Sequence, residues 1–323
     1  MNFANTEEII KNSKKILIIS HLNPDGDALG STCALYKGIK NRYKKSADIC
    51  ALTYLSPIYN FLPNLDLAKN SYNTSLIYDL VITVDVADVK RLGDMKVLYD
   101  KAKVRINIDH HKTNIGFGDY NYVVPEASST GEVLFNMFKN SGWDIDKDMA
   151  ICLYTAILTD TGGFRFDNTT EDVLSIASQL VKFGANPSEI FTYCYEEKSK
   201  NYVMFQNHCI SKAQFLDEDR IVYTTVYRRD FEDYKANDDF TEGLAEQLRA
   251  INTTDIAFVV KEVEPNKLCK VSMRSKYYDV AEICSVFGGG GHSRAAGCSI
   301  KSNVETAVKR ILEEIKKHEK QSV

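Results

Sequence analysis

Four apolar segments of this chain end in aspartate or histidine side chains, and this arrangement restricts the fold more than any other feature. The polar groups that follow the four segments are, in chain order, His21, Asp25 and Asp27; then Asp85 and Asp88; then Asp109, His110 and His111; and then Asp160. The carboxyl ends of parallel strands meet at one edge of an open α/β sheet, where ligands bind. The pattern therefore predicts that these side chains converge at such an edge.

The first of these groups lies in a turn between a predicted strand at residues 16–19 and a predicted helix at residues 28–43. A glycine separates Asp25 from Asp27, so the backbone can fold between them and both carboxylates can face neighbouring ions. From this turn alone, a capped loop is an equal alternative, with Asp27 as the helix N-cap and Asp25 in solvent.

Burying this many carboxylates without cations would be very costly, because each charge loses its hydration. Bound divalent metal ions are the natural compensation. Carboxylate and imidazole ligands without cysteine favour Mn²⁺, Mg²⁺ or Co²⁺ over a structural zinc site. For His110 and His111 the alternative is a surface pair in a turn, and the other three segments argue against it.

The order of the segments predicts two domains. Residues 14–111 alternate strand-like and helix-like patterns, with apolar runs at 15–20, 49–54, 76–84 and 104–108, which is typical of a parallel sheet with crossover helices. Residues 170–215 have a helical pattern, and strands and helices mix after residue 216. We therefore expect an α/β fold, with a Rossmann-like parallel-sheet catalytic domain at 1–190, a helical connector at 191–220 and a smaller α+β domain at 221–323.

A run of four glycines and a histidine at residues 288–292 stands out in the second domain. No Lys-Ser or Lys-Thr pair follows it, so it is not a Walker loop and ATP hydrolysis is disfavoured. Glycines let backbone amides approach an anion, and Arg274 at a strand end can clamp a phosphate or stack on a base. Without further support, a flexible turn and a solvated arginine are the more common alternatives.

Residues 129–132, Ser-Thr-Gly-Glu, predict a capping box at the start of a helix. This structural role is favoured, although a helix N-terminus near the metal edge can also receive a phosphate oxygen, which makes Ser129 and Thr130 candidate substrate contacts. Arg165 is a third candidate contact, since it can add positive charge near the metals. Its alternative role is a surface salt bridge.

Together these motifs resemble the DHH-family phosphoesterases. The matching stretches are His21-Leu22-Asn23-Pro24-Asp25-Gly26-Asp27, Asp85 in Val-Asp-Val-Ala-Asp, Asp109-His110-His111, Asp160, and Gly288-Gly289-Gly290-Gly291-His292 continuing through Ala295-Ala296-Gly297. The glycine-rich stretch resembles the substrate-binding domain that accompanies DHH domains. The matches span most of the chain. Within the family, a two-domain protein of this length is most similar to the bacterial nanoRNase and pAp-phosphatase branch.

The resemblance implies a role for each residue. One Mn²⁺ is held by His21, Asp25 and Asp85, and the other by Asp27, Asp85, His110 and Asp160, so that Asp85 bridges them. The implied substrate contacts in the second domain are Arg274, Ser275, Gly289, Gly290, Gly291 and His292. Two such ions would activate a water for in-line attack on phosphorus. His111 would then contact a phosphate oxygen or assist the leaving oxygen, with Asp109 orienting an imidazole; a purely structural hydrogen bond is the alternative for His111.

Composition narrows the class of protein. The formal net charge of −4 argues against a surface built for long duplex nucleic acid, but short substrates remain compatible. The N-terminus lacks the features of a signal peptide and no apolar stretch has the length of a membrane span, so we expect a cytoplasmic protein without membrane contact. Eight scattered cysteines form no Cys-x-x-Cys pair. The sequence leaves the oligomeric state open, a homodimer included.

The expected function is a Mn²⁺-dependent phosphoesterase that degrades short oligonucleotides, including dinucleotides such as pApA or pGpG, or converts pAp to AMP. Turnover of linear or cyclic dinucleotides as second messengers is a related alternative. Inorganic pyrophosphatase activity is less favoured, because the glycine-rich domain resembles the nucleotide-binding form. A nucleotide sensor without turnover is the alternative from another class, and the intact set of ligand positions argues against it.

Overall fold

Six strands within the described residues form a parallel sheet in the first of two compact units, residues 1–197. The computed structural model describes residues 4–50 and 55–321. The strands are β1 (Ile16–Ile19), β2 (Asp48–Cys50), β3 (Ala68–Lys69), β4 (Leu80–Val84), β5 (Val104–Asp109) and β6 (Tyr120–Val123), in the spatial order β3-β2-β1-β4-β5-β6. The predicted Rossmann-like parallel sheet is confirmed. Of the apolar run at 49–54, residues 51–54 lie outside the described part of the chain.

The strand order reverses between β1 and β4, which pair in parallel at the centre of the sheet. The chain leaves β1 towards β2 on one side and later continues from β4 towards β5 on the other. A crevice forms at the carboxyl ends of two strands related in this way. The residues that directly follow β1 and β4 therefore border one crevice.

Helices cover both faces of this sheet. They are α1 (Ala4–Asn12), α2 (Gly26–Tyr43), α3 (Lys96–Lys101), α4 (Thr130–Asn140), α5 (Lys147–Asp160), α6 (Glu171–Lys182) and α7 (Pro187–Phe191), with 3₁₀ turns at Pro57–Tyr59, Leu65–Leu67 and Val89–Met95 and a π-helical turn at Thr192–Glu196. Ile16 and Ile18 of β1 belong to the core that contains the apolar side chains of α2, α4 and α5, while Leu17 and Ile19 belong to the core on the opposite face. Burial on both faces explains why these strands are continuously apolar.

Helix α2 begins two residues earlier than the predicted start. Its N-cap is Asp25, whose Oδ1 accepts a hydrogen bond from the backbone amide of Ala28 at 3.0 Å. Asp27 lies in the first turn with only 1% of its side chain exposed, whereas Asp25 is 57% exposed. The capped-loop alternative, with Asp27 as the N-cap, is therefore wrong. A cap needs an extended backbone, and Asp25 rather than Asp27 has it.

Helix α4 begins after Ser129, which is the predicted N-cap. The Ser129 hydroxyl accepts a hydrogen bond from the amide of Glu132 at 3.1 Å. The Glu132 carboxylate accepts one from the amide of Ser128 at 2.7 Å, one residue before the position that a capping box requires. The predicted cap is confirmed, and its return bond is shifted by one residue.

The second unit, residues 198–323, contains a mixed sheet. Its elements are α8 (Lys200–Ser211), β7 (Gln214–Leu216), β8 (Ile221–Val226), α9 (Arg228–Tyr234), a 3₁₀ turn (Asp238–Thr241), α10 (Leu244–Arg249), β9 (Ile256–Glu264), β10 (Leu268–Ser275), α11 (Val280–Ser285), β11 (Gly290–His292), β12 (Ala295–Ile300) and α12 (Val304–Gln321). The strand order is β11-β12-β10-β9-β8-β7, in which only β8 and β9 pair in parallel.

Apolar side chains of α11 and α12 pack on one face of this sheet, and those of α8, α9 and α10 contribute to a separate core. The smaller α+β domain predicted from the sequence is confirmed as a fold class. The predicted boundaries at 190/191 and 220/221 stay a prediction. Within the part of the chain that the structure describes, no helix is both long enough and apolar enough to cross a membrane.

Candidate functional site

Two groups made only of predicted metal ligands lie at the carboxyl edge of the parallel sheet, and a third group of potential ligands, Asp85, His110 and His111, overlaps both. His21 follows β1, Asp85 follows β4, and His110 follows β5. In the first group, ligand atoms of His21, Asp25 and Asp85 all lie within 4.8 Å of one another. The second group consists of Asp27, His110 and Asp160, which meet the same criterion. The structure thus brings together all six side chains predicted to be metal ligands.

Asp85 faces both groups with different oxygens. Its Oδ2 lies 3.4 Å from Nε2 of His21, and its Oδ1 lies 3.7 Å from Nε2 of His110. The side chain is 3% exposed, and the backbone has a φ of 59°, a left-handed conformation that aspartate tolerates better than most residues. Thr130 donates a hydrogen bond from Oγ1 to Oδ1 of Asp85 at 3.0 Å. A carboxylate in this position can bind one ion with each oxygen.

Asp27 is held by the start of helix α4. Its carboxylate accepts hydrogen bonds from the amides of Thr130 and Gly131, at 2.7 and 2.9 Å, and from the hydroxyl of Ser31 at 3.0 Å. The first amides of the helix, which were predicted to be available to a phosphate, therefore orient a ligand carboxylate. Ser129 and Thr130 are themselves fully buried, and their contact with substrate stays a prediction.

Backbone carbonyls fix the tautomers of the two ligand histidines. Nδ1 of His21 lies 2.7 Å from the carbonyl oxygen of Leu22, and Nδ1 of His110 lies 3.2 Å from that of Ala127. A carbonyl only accepts hydrogen bonds, so each Nδ1 must carry the proton. In this tautomer Nε2 faces the carboxylates and is the ring nitrogen that a metal ion could bind.

His111 is bound differently from its neighbour. Its Nδ1 lies 2.8 Å from Oδ1 of Asp109, which is fully buried and whose other oxygen accepts a hydrogen bond from Asn114 at 2.6 Å. The same nitrogen is 3.6 Å from Asp85, but it is already committed to Asp109. Burial lowers the pKa of His111, and the bond to Asp109 together with the charge of Asp85 outweighs burial and raises this pKa to about 9.

Burial and mutual repulsion raise the pKa values of two of the acids at this edge. Burial, followed by the charge of Asp85, raises the pKa of Asp160 to about 8 and the pKa of Asp27 well above its usual range. Divalent cations would remove both penalties, because a nearby positive charge favours the ionised carboxylate. With the oriented imidazole nitrogens, this donor set of oxygen and nitrogen atoms fits divalent metal ions.

Two family models match the chain: the N-terminal domain of the DHH family at residues 15–157 and the DHHA1 domain at residues 218–318. The bifunctional oligoribonuclease and PAP phosphatase NrnA of Bacillus subtilis is 31% identical over 293 residues, which cover 89% of this chain and 90% of that protein. This chain belongs to the DHH phosphoesterase family. The protein of the same name from Thermus thermophilus is 30% identical over 305 residues, covering 93% of this chain and 89% of its own.

The fold of this DHH phosphoesterase is shared by a solved structure. An exopolyphosphatase-related protein from Bacteroides fragilis superposes with a TM-score of 0.90 at 24% identity, covering 97% of this chain and 95% of that chain. The prediction of a hydrolytic enzyme of the DHH family with a DHH-associated domain is confirmed.

In the second unit of the DHH phosphoesterase, Arg274 and His292 lie on one face of the sheet. Arg274 of β10 pairs with Ala295 of β12, and Ala295 pairs with His292 of β11, so the three side chains are level across neighbouring strands. Nε of Arg274 is 2.6 Å from Oε1 of Glu246, which fixes the guanidinium. Ser275 points the other way; it is fully buried and donates its hydroxyl to the carbonyl of Tyr278. Substrate binding by these residues stays a prediction.

The glycines of this unit differ in what the fold requires of them. A Cβ atom at Gly289 would lie 2.2 Å from the carbonyl oxygen of Gly297, and one at Gly291 would lie 2.5 Å from that of Ala295. These two glycines are needed for the close approach to β12. A Cβ at Gly290 would meet no atom within 4 Å. The protein's own packing therefore does not explain glycine at position 290, whereas a closely approaching ligand would.

Arg91 is a residue near the metal-ligand groups that sequence reasoning missed. It lies exposed in the 3₁₀ turn that Asp88 caps, and its Nη2 is 3.1 Å from Nδ1 of His21. Because Nδ1 donates to Leu22, the guanidinium lies beside the ring as a positive charge rather than as a hydrogen-bond donor to it. The sequence does contain a signal, the basic pair Lys90-Arg91 shortly after Asp85. Cationic side chains are not metal ligands, so reasoning about ligands does not single them out.

Proposed function

We propose that this chain is a Mn²⁺-dependent phosphoesterase that hydrolyses short oligonucleotides to mononucleotides or pAp to AMP. The observation that carries the proposal is the position of Asp85, whose two oxygens face the two ligand groups. The names of the Bacillus subtilis and Thermus thermophilus relatives supply the substrate class. Oxygen and imidazole ligands without cysteine suit Mn²⁺, with Mg²⁺ and Co²⁺ as related choices.

The proposed metal ligands are His21, Asp25 and Asp85 for one ion and Asp27, Asp85, His110 and Asp160 for the other. When bound, a pair of divalent ions would supply an activated water and stabilise negative charge on the phosphoryl and leaving oxygens. The chain's own contribution is orientation, because Thr130 and Gly131 hold Asp27 while backbone carbonyls hold both histidine rings.

His111 is the proposed proton donor to the leaving oxygen. Asp109 accepts a hydrogen bond from Nδ1 of His111. Nε2 of the same ring is then the nitrogen that can donate a proton to the substrate. In the metal-free fold, the bond to Asp109 and the charge of Asp85 outweigh burial and raise the pKa of His111 to about 9, which favours a protonated ring. A donor at this place neutralises the oxyanion as the phosphorus–oxygen bond breaks.

The charges near the site support a preference for small anionic substrates. Four ligand carboxylates and two divalent ions balance, so the phosphate needs other cations, and Arg91 and Arg165 are the proposed partners. In the second unit, Arg274, His292 and the backbone of residues 289–291 are the proposed substrate contacts, whereas the buried hydroxyl of Ser275, which is bonded to the carbonyl of Tyr278, is withdrawn from the predicted set. The net charge of −4 offers little to hold a long strand.

A cytoplasmic location belongs to this proposal. All eight cysteines of the chain are buried free thiols. Free thiols are typical of proteins that function in a reducing compartment.

A substrate screen at fixed Mn²⁺ tests the proposed function. Purified protein is given pApA, pAp, a long single-stranded RNA and a duplex DNA, and mononucleotide or phosphate release is measured. We expect turnover of pApA or pAp, slow turnover of the long strand and none of the duplex. Equal rates on the dinucleotide and the long strand would contradict the proposed substrate class, and release that is indifferent to a chelator would contradict the metal dependence.

A further inference from the structure

The loop that follows Asp160 folds back onto the end of helix α5. The amides of Arg165 and Phe166 both donate to the carbonyl oxygen of Thr161, at 3.0 and 3.1 Å. The side chain of Asn168 donates to the carbonyl oxygens of Asp160 and Ser128, at 3.2 and 3.1 Å. Residues 161–168 are therefore held against the helix end that presents a predicted metal ligand.

One aromatic ring of this loop and one of helix α7 are exposed near the glycines that follow Asp160. Phe166 is 48% exposed and Phe191, from helix α7, is 39% exposed. The tip of the Phe166 ring abuts Gly162, where a Cβ atom would lie 2.3 Å from the ring, and the Phe191 ring lies 3.4 Å from the corresponding position at Gly163. Each ring thus lies beside one of two consecutive glycines while a large part of its surface stays exposed, and the Phe191 ring also contacts that of Tyr195, with their centroids 4.9 Å apart.

The backbone of the loop is strained as well. Phe164 has a φ of 61°, a left-handed conformation that bulky residues rarely adopt. Such strain persists where the surroundings enforce it, and it is concentrated at functional sites. Arg165 directly precedes Phe166 and donates from Nε to the carbonyl oxygen of Gly162 at 2.7 Å, which holds its guanidinium against the same loop.

We propose that Phe166 and Phe191 form a stacking platform for a nucleobase of the substrate, with Arg165 at its side. This inference rests on the proposed function, since a phosphate bound at the ligand group of Asp160 brings its nucleoside to the same helix end. Every base has a π face, so aromatic platforms bind bases with little regard to sequence. A guanidinium beside the rings can pair with a phosphate or stack on the base. The platform would thus bind bases within the catalytic unit itself.

The test compares Phe166→Leu and Phe166→Ala on two dinucleotides. One is pApA, and the other is the same molecule with both bases replaced by hydrogen. Leucine keeps apolar volume over Gly162 but removes the ring. We expect kcat/KM on pApA to fall about 5-fold to 150-fold, mainly through KM, which corresponds to the loss of one stacked base. The rate on the abasic dinucleotide should stay within about twofold of wild type, and Phe166→Tyr should restore pApA hydrolysis.

Tyr120→Ala is the matched control, because Tyr120 is an aromatic residue of similar exposure, 42%, at the start of edge strand β6. It should change neither substrate's kinetics. If the Phe166 variants lose activity equally on both dinucleotides, or on neither, the platform is refuted while the proposed function stands. If the wild-type protein hydrolyses neither dinucleotide nor pAp, the proposed function fails and the platform with it. Thermal unfolding of each variant shows whether the fold is kept.

Discussion

Nδ1 of His111 lies 2.8 Å from Oδ1 of Asp109, while the preceding histidine donates its own Nδ1 proton to a backbone carbonyl. The two adjacent histidines thus have different partners. The partner of His111 is the buried carboxylate of Asp109, and the partner of His110 is the neutral carbonyl oxygen of Ala127. A carboxylate partner stabilises the protonated ring, and a carbonyl partner leaves a neutral ring with a free lone pair. Proton donation and metal binding are therefore assigned to different histidines.

The first prediction is that His111→Ala keeps both metal ions and loses rate. Removing a general acid should lower kcat by about 10²–10⁴-fold. Bound metal per chain, measured after dialysis, should stay at the wild-type value. His110→Ala is the comparison and should lose one ion. Loss of an ion from the His111 variant would reverse the two assignments.

The second prediction concerns Asp85→Asn. Asparagine tolerates the left-handed backbone of this position and has nearly the same shape as aspartate. Its neutral amide cannot offer a charged oxygen to each of the two ions. We expect kcat to fall on the order of 10³-fold or more, with fewer bound ions and little change in Tm under metal-free conditions. Near-normal Mn²⁺-dependent turnover would remove the bridging role.

The third prediction is that metal stabilises the fold more strongly as pH rises. The carboxyl group of Asp160 titrates near pH 3.8 in the unfolded chain and has a pKa of about 8 in the metal-free fold, so the folded state holds the extra proton between these values. Its contribution to stability is therefore lost as pH rises from about 4 to about 8. His111, whose pKa is raised from 6.5 to about 9, loses its own contribution between these two values.

Divalent ions bound at the proposed site would replace the proton of Asp160, so the difference in Tm between Mn²⁺-loaded and chelator-treated protein should grow from about pH 4 to about pH 8. Thermal unfolding at a series of pH values measures it. In the Asp160→Asn variant, this Tm difference should increase less with pH than in the wild-type protein. A Tm difference that is constant with pH would contradict the coupling of protons to metal binding.

The fourth prediction separates binding from chemistry. Arg274→Ala should weaken pApA hydrolysis by about 1–3 kcal/mol, because a charge-assisted contact is lost. Hydrolysis of bis-p-nitrophenyl phosphate should be unaffected, since every predicted metal ligand lies in the first unit. Glu246→Gln is the control that removes the salt bridge of Arg274 but keeps the guanidinium. Equal loss on both substrates in the Arg274 variant would refute the separation.

The fifth prediction contrasts neighbouring glycines. Gly290→Ala has room for its methyl group and should keep the wild-type Tm, yet slow pApA hydrolysis about tenfold or more by obstructing a ligand at the backbone. Gly289→Ala forces a methyl group against the carbonyl oxygen of Gly297 and should destabilise the fold by about 1–3 kcal/mol. Normal pApA kinetics in the Gly290 variant would place the ligand elsewhere.

The convergence of the candidate ligands could be predicted because each follows an apolar run that is visible in the sequence, and parallel strands bring their ends together. The roles of Asp25 and Asp27 could not be separated, since the distinction depends on which residue has the extended backbone of a cap. The bond from the Thr130 amide to Asp27 joins residues 103 positions apart, and no local pattern encodes such a contact. Arg91 was missed because its proximity to His21 depends on the path of a 3₁₀ turn.

The six predicted ligands are spread from His21 to Asp160, on elements that meet only in the assembled sheet. During synthesis the ribosome releases the first three long before the last, so a nascent or truncated chain carries ligands without a site. Helix α5 completes the second group and packs against α2, which supplies Asp27. Metal binding at the proposed site would therefore require the whole first unit to be folded. A chain that fails to fold would have no assembled site and no hydrolytic activity.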